Sequence, residues 1–166
     1  GQMRTAFMDD NLSQISDNFS RQRDLYSIML DLAGKQWNLL NEPGQSPGSD
    51  GIHQVLVQRQ ELLEVIVKLN QENKDLQARA VEELGLERFV LSEVQKHMDA
   101  ASFSRLQSRL AELGQLLESI NNIDKQNQRL MEKKNLNMPQ PPVEKTTGDK
   151  ARQAYRNAMK QKDTSV

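Results

Sequence analysis

The chain has no cysteine and few aromatic residues. Among its 166 residues are four Phe, two Tyr and one Trp, which together make 4% of the chain. The lack of cysteine excludes disulfides, thiolate chemistry and cysteine-based metal sites. The apolar fraction of 36% is below the level usual for a globular domain, so a wide, round core would be hard to fill. Long helices that bury one face against near neighbours need less apolar material.

The charge balance narrows the class of protein further. Charged residues make 27% of the chain and the net charge is −1, so the basic excess typical of nucleic-acid binders is missing. No apolar run reaches the roughly 20 residues that span a bilayer, and no secretory signal peptide is recognisable. We therefore expect a cytoplasmic protein that neither binds nucleic acid nor inserts into a membrane.

The spacing of apolar residues predicts long helices. Apolar residues recur at steps of three and four, the period of one helix face, in three segments: residues 9–41, 50–84 and 102–138. A loop rich in Pro and Gly over residues 42–51 separates the first two helices. Gly85 suits a helix C-cap before a short connecting helix over residues 86–98, and Asp99 or Ser102 can cap the third helix. Because short connections make neighbouring helices antiparallel, the pattern predicts an all-α fold, an elongated antiparallel bundle of three long helices.

The composition also predicts how the chain is divided. We expect residues 1–8 to lack structure, residues 9–138 to form the bundle domain, and the Pro-rich residues 139–148 to act as a tether. Residues 149–166 are predicted to form an amphipathic tail helix, with apolar positions at Ala151, Ala154, Tyr155, Ala158 and Met159. Isolated helices of about 12 residues are marginal in water. We therefore expect this tail helix to dock on an apolar groove, in cis or on a neighbouring copy.

Two features of the long helices allow alternative interpretations. In the third helix, Asp124 and Asn127 interrupt the apolar seam. Either this end of the helix protrudes into water, or these residues fix the register of the bundle or hydrogen-bond to a bound helix. In the first helix, the apolar stripe from Leu25 to Leu40 is wider than one partner helix covers. The excess either packs against the connecting helix or forms an open groove.

No catalytic or ligand-binding motif is present. His53 and His97 have no second ligand at metal-binding spacing, and the glycines of residues 42–51 do not follow a strand, as a phosphate-binding loop would. The acidic residues between 82 and 87 are typical of a solvated helix face rather than an acid–base pair. We expect no enzymatic activity, no cofactor and no metal.

The helices resemble those of the FlgN-type flagellar export chaperones. The resemblance covers roughly residues 20–137, and three stretches carry it: QRQELLEVIVKL (58–69), EELGLERF (82–89) and RLAELGQLLESINNIDKQNQRLME (109–132). Members of that family tend to end a helix with Leu-Gly-Leu, matched here by residues 84–86. They also tend to end the last long helix with an Asn-x-x-Leu-[Ile/Met] segment, matched by Asn127, Leu130 and Met131.

This resemblance implies a cytoplasmic type III export chaperone. Such a protein binds the C-terminal amphipathic helices of hook-associated junction proteins, prevents their premature assembly and delivers them to the export gate. Helix-in-groove recognition suits such clients, and we place the groove on the third helix, at Leu113, Leu117, Ile120, Asn127, Leu130 and Met131. By position, Tyr155 is the tail residue that could contact the export-gate component. A chaperone of this kind should be a monomer or weak dimer, whereas the alternative, a self-associating helical scaffold without a client, should form a defined oligomer.

Overall fold

The computed structural model describes residues 2–42 and 50–134 of the chain, with side chains described over residues 10–42 and 51–134. These residues form helices α1 (Gln2–Asn41), α2 (Asp50–Leu84), α3 (Leu91–Val94) and α4 (Ala100–Lys133), with a 3-10 turn (Gln95–His97) between the last two. No strand occurs in this part of the chain, so the all-α prediction is confirmed. The predicted tether and tail helix lie outside the described residues.

Helix α1 is the centre of the bundle. It packs closely against both α2 and α4, whereas α2 and α4 have few close backbone approaches to each other. Asn11, near the start of α1, donates to Glu83 at the end of α2. Leu40, at the other end of α1, packs in one cluster with Ile52 at the start of α2. Helices α1 and α2 are therefore antiparallel, as the short connection between them predicts.

Helix α4 returns parallel to α1. Arg109 donates to Ser20 near the middle of α1, and Asn127 donates to the carbonyl oxygen of Ala33, 13 residues further along α1. The three long helices thus run up, down and up, in the predicted order. At 1.5 Å per residue, each long helix extends for about 50–60 Å.

The core is a narrow column of side chains along the bundle axis. Buried residues alternate in steps of three and four, the heptad pattern of packed parallel or antiparallel helices. In α1 they are Leu12, Ile15, Phe19, Gln22, Tyr26, Met29, Ala33, Gln36 and Leu40. In α4 they are Phe103, Leu106, Leu110, Leu113, Leu117, Ile120, Asn127 and Met131. A column of this width explains how a chain with few aromatics fills its core.

Two predicted helix ends have the expected chemistry. Asp99 is the N-cap of α4, and its side chain accepts a 3.0 Å hydrogen bond from the backbone N–H of Ser102. Gly85 follows α2 with φ of 69°, a left-handed conformation that favours glycine. The N–H of Leu86 then donates to the carbonyl oxygen of Val81 at 2.9 Å, and that of Gly85 to Glu82 at 3.4 Å, which is the Schellman arrangement.

The connecting helix predicted over residues 86–98 is largely wrong. Only Leu91–Val94 and the following turn are helical, and Val90 has extended backbone angles. Phe89, Val90 and Leu91 are all buried or half-buried. Consecutive helical residues point about 100° apart, so a helix could not turn three of them in a row towards one core.

The ends of the outer helices also differ from the prediction. Helix α1 begins at Gln2 rather than at residues 9–11, so the expectation of an unstructured segment over residues 1–8 is not met. Helix α4 ends at Lys133, before the predicted end at Met138. Lys134 follows as its C-cap, with its N–H donating to the carbonyl oxygen of Leu130.

Candidate functional site

A polar cluster lies inside the bundle, where all three long helices meet. Arg59 of α2 is fully buried, and its two terminal nitrogens donate to the two carboxylate oxygens of Asp124 in α4 at 2.8 and 2.6 Å. The same guanidinium donates to Oε1 of Gln36 in α1 at 2.7 Å. A planar guanidinium holding a carboxylate with two parallel bonds is a strong and directional arrangement. It links α2 to α4, the two helices that approach each other least.

Sulfur and backbone acceptors complete the cluster. Gln36 donates to the sulfur of Met131, and Nε of Arg59 donates to the sulfur of Met29, both at 3.3 Å. Asn127 is fully buried and donates to the carbonyl oxygen of Ala33 at 3.0 Å. We call Gln36, Arg59, Asp124 and Asn127 the polar cluster.

The polar cluster explains why Asp124 and Asn127 interrupt the apolar seam of the third helix. Asn127 has no exposed surface, and the side chain of Asp124 is 20% exposed and paired with Arg59. The interpretation in which these residues protrude into water is therefore wrong. A slip of one helix along another would separate the buried charges, so the cluster holds the helices in one register.

The client groove expected on the third helix is not an open surface. Five of its six residues are buried inside the bundle: Leu113, Leu117, Ile120, Asn127 and Met131. Leu130 alone of the six is half-buried at the surface. The reason is that α1 itself covers the apolar face of α4. Residues Ala151, Ala154, Tyr155, Ala158 and Met159 of the expected docking tail lie outside the described residues.

Neither alternative alone explains the wide apolar stripe of α1. The connecting segment packs at the other end of the bundle, where Met98 lies beside Leu12, so it does not cover the stripe from Leu25 to Leu40. The stripe is wide because α1 packs against two long helices. Ile28 and Trp37 remain 49% and 37% exposed. They lie on opposite flanks of α1, because nine residues make two and a half helical turns.

The flank that carries Trp37 forms a continuous apolar strip with α4. Ile123 lies against Gly34, with its Cδ1 4.0 Å from the position that a Cβ would occupy. Trp37 is one turn beyond Gly34 on the same flank. We call this strip the Trp37 face, and its residues are Ser27, Leu30, Gly34, Trp37, Leu116, Ser119, Ile123 and Leu130. All eight are exposed or half-buried and none is charged.

One end of the Trp37 face is a shallow trench of about 400 Å³, lined in part by Ser27, Leu116 and Ser119. Charged side chains close it off. Arg23 donates to Glu112 at 3.2 Å and to Asp24 at 2.9 Å. These hydrogen bonds, the one to Asp24 first, raise the pKa of Arg23 above its ordinary value. Charge is thus confined to the rim, as in protein interfaces whose centres are depleted of charged residues.

The described residues contain no group of three or more His, Asp or Glu side chains placed to hold a metal ion. His53 is exposed and His97 is half-buried, at different levels of the bundle. Within the same residues, no helix combines the length and apolarity needed to cross a membrane.

Sequence reasoning flagged Asp124 and Asn127 but missed Arg59 and the Trp37 face. Arg59 lies three residues after buried Leu56 and four before buried Leu63, which is the spacing of the apolar seam. This position in the apolar seam indicates, from the sequence alone, that Arg59 is buried. The Trp37 face has no such signal, because its two edges lie in helices about 90 residues apart.

Comparison with protein-family models, with curated proteins and with solved structures finds no match to this chain. The structure alone therefore defines the class: an all-α bundle of three long helices with a buried polar cluster and one uncharged apolar face.

Proposed function

We propose that this protein is a cytoplasmic export chaperone of the FlgN type. It binds the C-terminal amphipathic helices of flagellar hook-associated junction proteins, prevents their premature assembly and hands them to the export gate. The resemblance of residues 20–137 to that family suggests the client. The Trp37 face is the observation that carries the proposal, because it offers an amphipathic helix an apolar surface without charged residues.

The dimensions of the Trp37 face suit one helix. On α4 the face runs from Leu116 to Leu130, which is about 21 Å, or four turns. A client helix with apolar residues at i, i+3, i+4 and i+7 would cover this length. Ser27 and Gly34 are small and allow its backbone to approach closely. Trp37 supplies a large, rigid contact of the kind that dominates interface energetics.

The polar cluster supports the same function in another way. A client helix with an apolar stripe could replace α4 in the bundle, since their apolar patterns are alike. Such an exchange would leave the guanidinium of Arg59 buried without the carboxylate of Asp124, which costs several kcal/mol. The cluster thus favours client binding on the outside of an intact bundle.

The test is the titration of peptides from the last 50 or so residues of candidate junction proteins into the full chain, followed by calorimetry. We expect one-to-one binding that Trp37→Ala weakens by about tenfold or more, equivalent to about 1.4 kcal/mol. Val57→Ala is the matched control, because Val57 is 42% exposed but lies on α2, outside the Trp37 face. It should leave the affinity unchanged.

Two results would contradict the proposal. One is equal loss of affinity in the Trp37 and Val57 variants, which would remove the Trp37 face as the binding surface. The other is a defined oligomer in sedimentation that binds none of the peptides, which would identify a self-associating scaffold instead.

A further inference from the structure

We propose that residues 149–162 of this same chain dock on the Trp37 face as an amphipathic helix. These residues lie outside the described part of the chain. The proposal assigns the occupant of the face in the absence of any other protein. Four properties of the chain support it: where α4 ends, how long the intervening segment is, and the shape and charge of the two surfaces.

Connectivity places the segment beside the Trp37 face. Helix α4 ends at Lys133, and Leu130 at the edge of the Trp37 face is in its last turn. The chain therefore leaves the bundle beside the face. Residues 135–148 can extend for about 46 Å at 3.3 Å per residue, while the face is about 21 Å long. The segment can reach every part of the face by turning back along α4.

The two surfaces are compatible in shape. The apolar stripe of the segment consists mostly of small residues, at Ala151, Ala154 and Ala158. The opposing face has small residues at Ser27 and Gly34. Helices that meet through small side chains approach to the short end of the usual 8–10 Å separation. This fit is close without requiring the bundle to open.

The two surfaces also differ in charge. From Lys150 to Lys162 the segment has five Lys or Arg residues and no acidic residue. On the edge of α1 next to the Trp37 face, Asp24 and Asp31 are exposed, and Asp24 already pairs with Arg23. With its alanines on the uncharged face, a helix over this segment has Arg152 and Arg156 together on one flank, the flank that can lie towards this acidic edge. The attraction is modest at physiological salt and sets the orientation more than the affinity.

Because the segment is tethered to the bundle, even a weak interaction is sufficient to keep it docked on the Trp37 face. A segment joined by a short linker has an effective concentration in the millimolar range. A separate peptide of residues 149–162 would then need roughly millimolar concentration to bind the face equally well. Where the proposed function holds, a client competes with the segment for the Trp37 face, and binding of the client releases the segment to contact the export gate. The docking itself does not depend on the proposed function.

The experiment uses Trp37, which is the single Trp of the chain and lies in the face. Its fluorescence is measured in the full chain, in Ala158→Asp and in Gln153→Asp, without any client. Both substitutions add one negative charge, but Gln153 lies on the opposite side of the segment's helix. We expect Ala158→Asp to shift the emission of Trp37 to longer wavelength and to raise its quenching by acrylamide, while Gln153→Asp changes neither.

A chain ending at residue 138 gives the reference for an uncovered face, since every described core residue precedes its end. Ala158→Asp should match this reference. Identical emission and quenching in the full chain and in the shortened chain would overturn the proposal. So would a difference that grows with protein concentration, because the occupant would then belong to a second copy. Loss of client binding to the shortened chain, with the fluorescence result as expected, would count against the proposed function alone.

Discussion

At the scale of single residues, Arg59 has the most demanding position in the molecule. A guanidinium with no exposed surface loses several kcal/mol of hydration. The two bonds to Asp124 and the bond to Gln36 compensate for that loss. These three hydrogen bonds add little net stability. Their main effect is to disfavour helix packings in which the charge of Arg59 would be buried without a partner.

Replacing Asp124 by Ala should therefore destabilise the protein strongly. We expect a loss of about 3 kcal/mol in the free energy of unfolding, at the lower end for a broken buried pair, because the Asp124 side chain keeps 20% exposure. Urea unfolding followed by circular dichroism at 222 nm measures the change. The double variant Arg59→Met with Asp124→Leu should recover most of the loss. A loss below about 1 kcal/mol for Asp124→Ala would mean that the pair behaves like an exposed one.

Residue patterns revealed which side chains are buried but not what buries them. The steps of three and four at Leu113, Leu117 and Ile120 correctly mark an apolar face. The same spacing occurs whether the helix that covers this face belongs to the same chain or to another protein. Pairing of Arg59 with Asp124 was equally hidden, since the two residues are 65 positions apart and nothing local to either one indicates the other.

At the scale of secondary-structure elements, the turn after α2 depends on one backbone conformation. Gly85 has φ of 69°, and a Cβ added there would meet no atom within 4 Å. The cost of an alanine at this position is therefore one of backbone conformation.

Gly85→Ala should lower the free energy of unfolding by about 1 kcal/mol, the usual penalty for an L-residue in the left-handed region. Gly85→Asn should lower it less, because Asn tolerates that region better. Denaturant unfolding of the three proteins side by side measures both differences. Equal stability of the Ala variant and the natural chain would show that the turn relaxes to another conformation.

The N-cap of α4 gives a dependence on pH. The hydrogen bonds from Ser102 to the Asp99 carboxylate lower the pKa of Asp99. Because the folded pKa is below the unfolded one, the stabilisation is present at neutral pH and is lost as pH falls below about 4. In Asp99→Asn, which retains an acceptor but does not titrate, we expect a melting temperature below that of the natural chain at pH 7. The gap should narrow as pH decreases to 3. A gap that is constant over this range would contradict the assignment.

The elements themselves were largely predictable from sequence. The bounds of α2, the cap at Asp99 and the turn at Gly85 depend on local chemistry that the sequence shows directly. The segment after Gly85 was not predictable in this way. There Phe89 and Leu91 pack against residues distant in the chain and Val90 is buried as well. Burying these three consecutive side chains outweighs helix propensity.

At the scale of the whole molecule, α1 is the central helix, and the backbones of α2 and α4 approach it more closely than they approach each other. The Arg59–Asp124 ion pair links those two outer helices directly. Apolar contacts alone would tolerate several registers of α2 and α4 along α1, because heptad patterns repeat.

Removing the polar cluster should therefore let the helices adopt more than one register, while the helix content stays the same. We expect a variant with Arg59→Met, Asp124→Leu and Asn127→Leu to keep its circular dichroism spectrum, while sedimentation velocity changes from one species to several. Leu116→Met, a conservative apolar change on the Trp37 face, serves as the control and should sediment as the natural chain does. One sharp species for the triple variant would show that packing alone sets the register.

The position of α1 also determines when the protein can fold during synthesis. Among the described helices, α1 leaves the ribosome first, yet one of its two packing partners is α4, which is made last. An α1–α2 hairpin can form early, but Asp124 and Met131 have not yet been added when Arg59 and Gln36 emerge. The apolar side of α1 that packs against α4 therefore stays exposed until nearly all of the described residues have been synthesised. Translation speed through the codons of residues 100–131 then sets how long that flank stays open to other proteins in the cell.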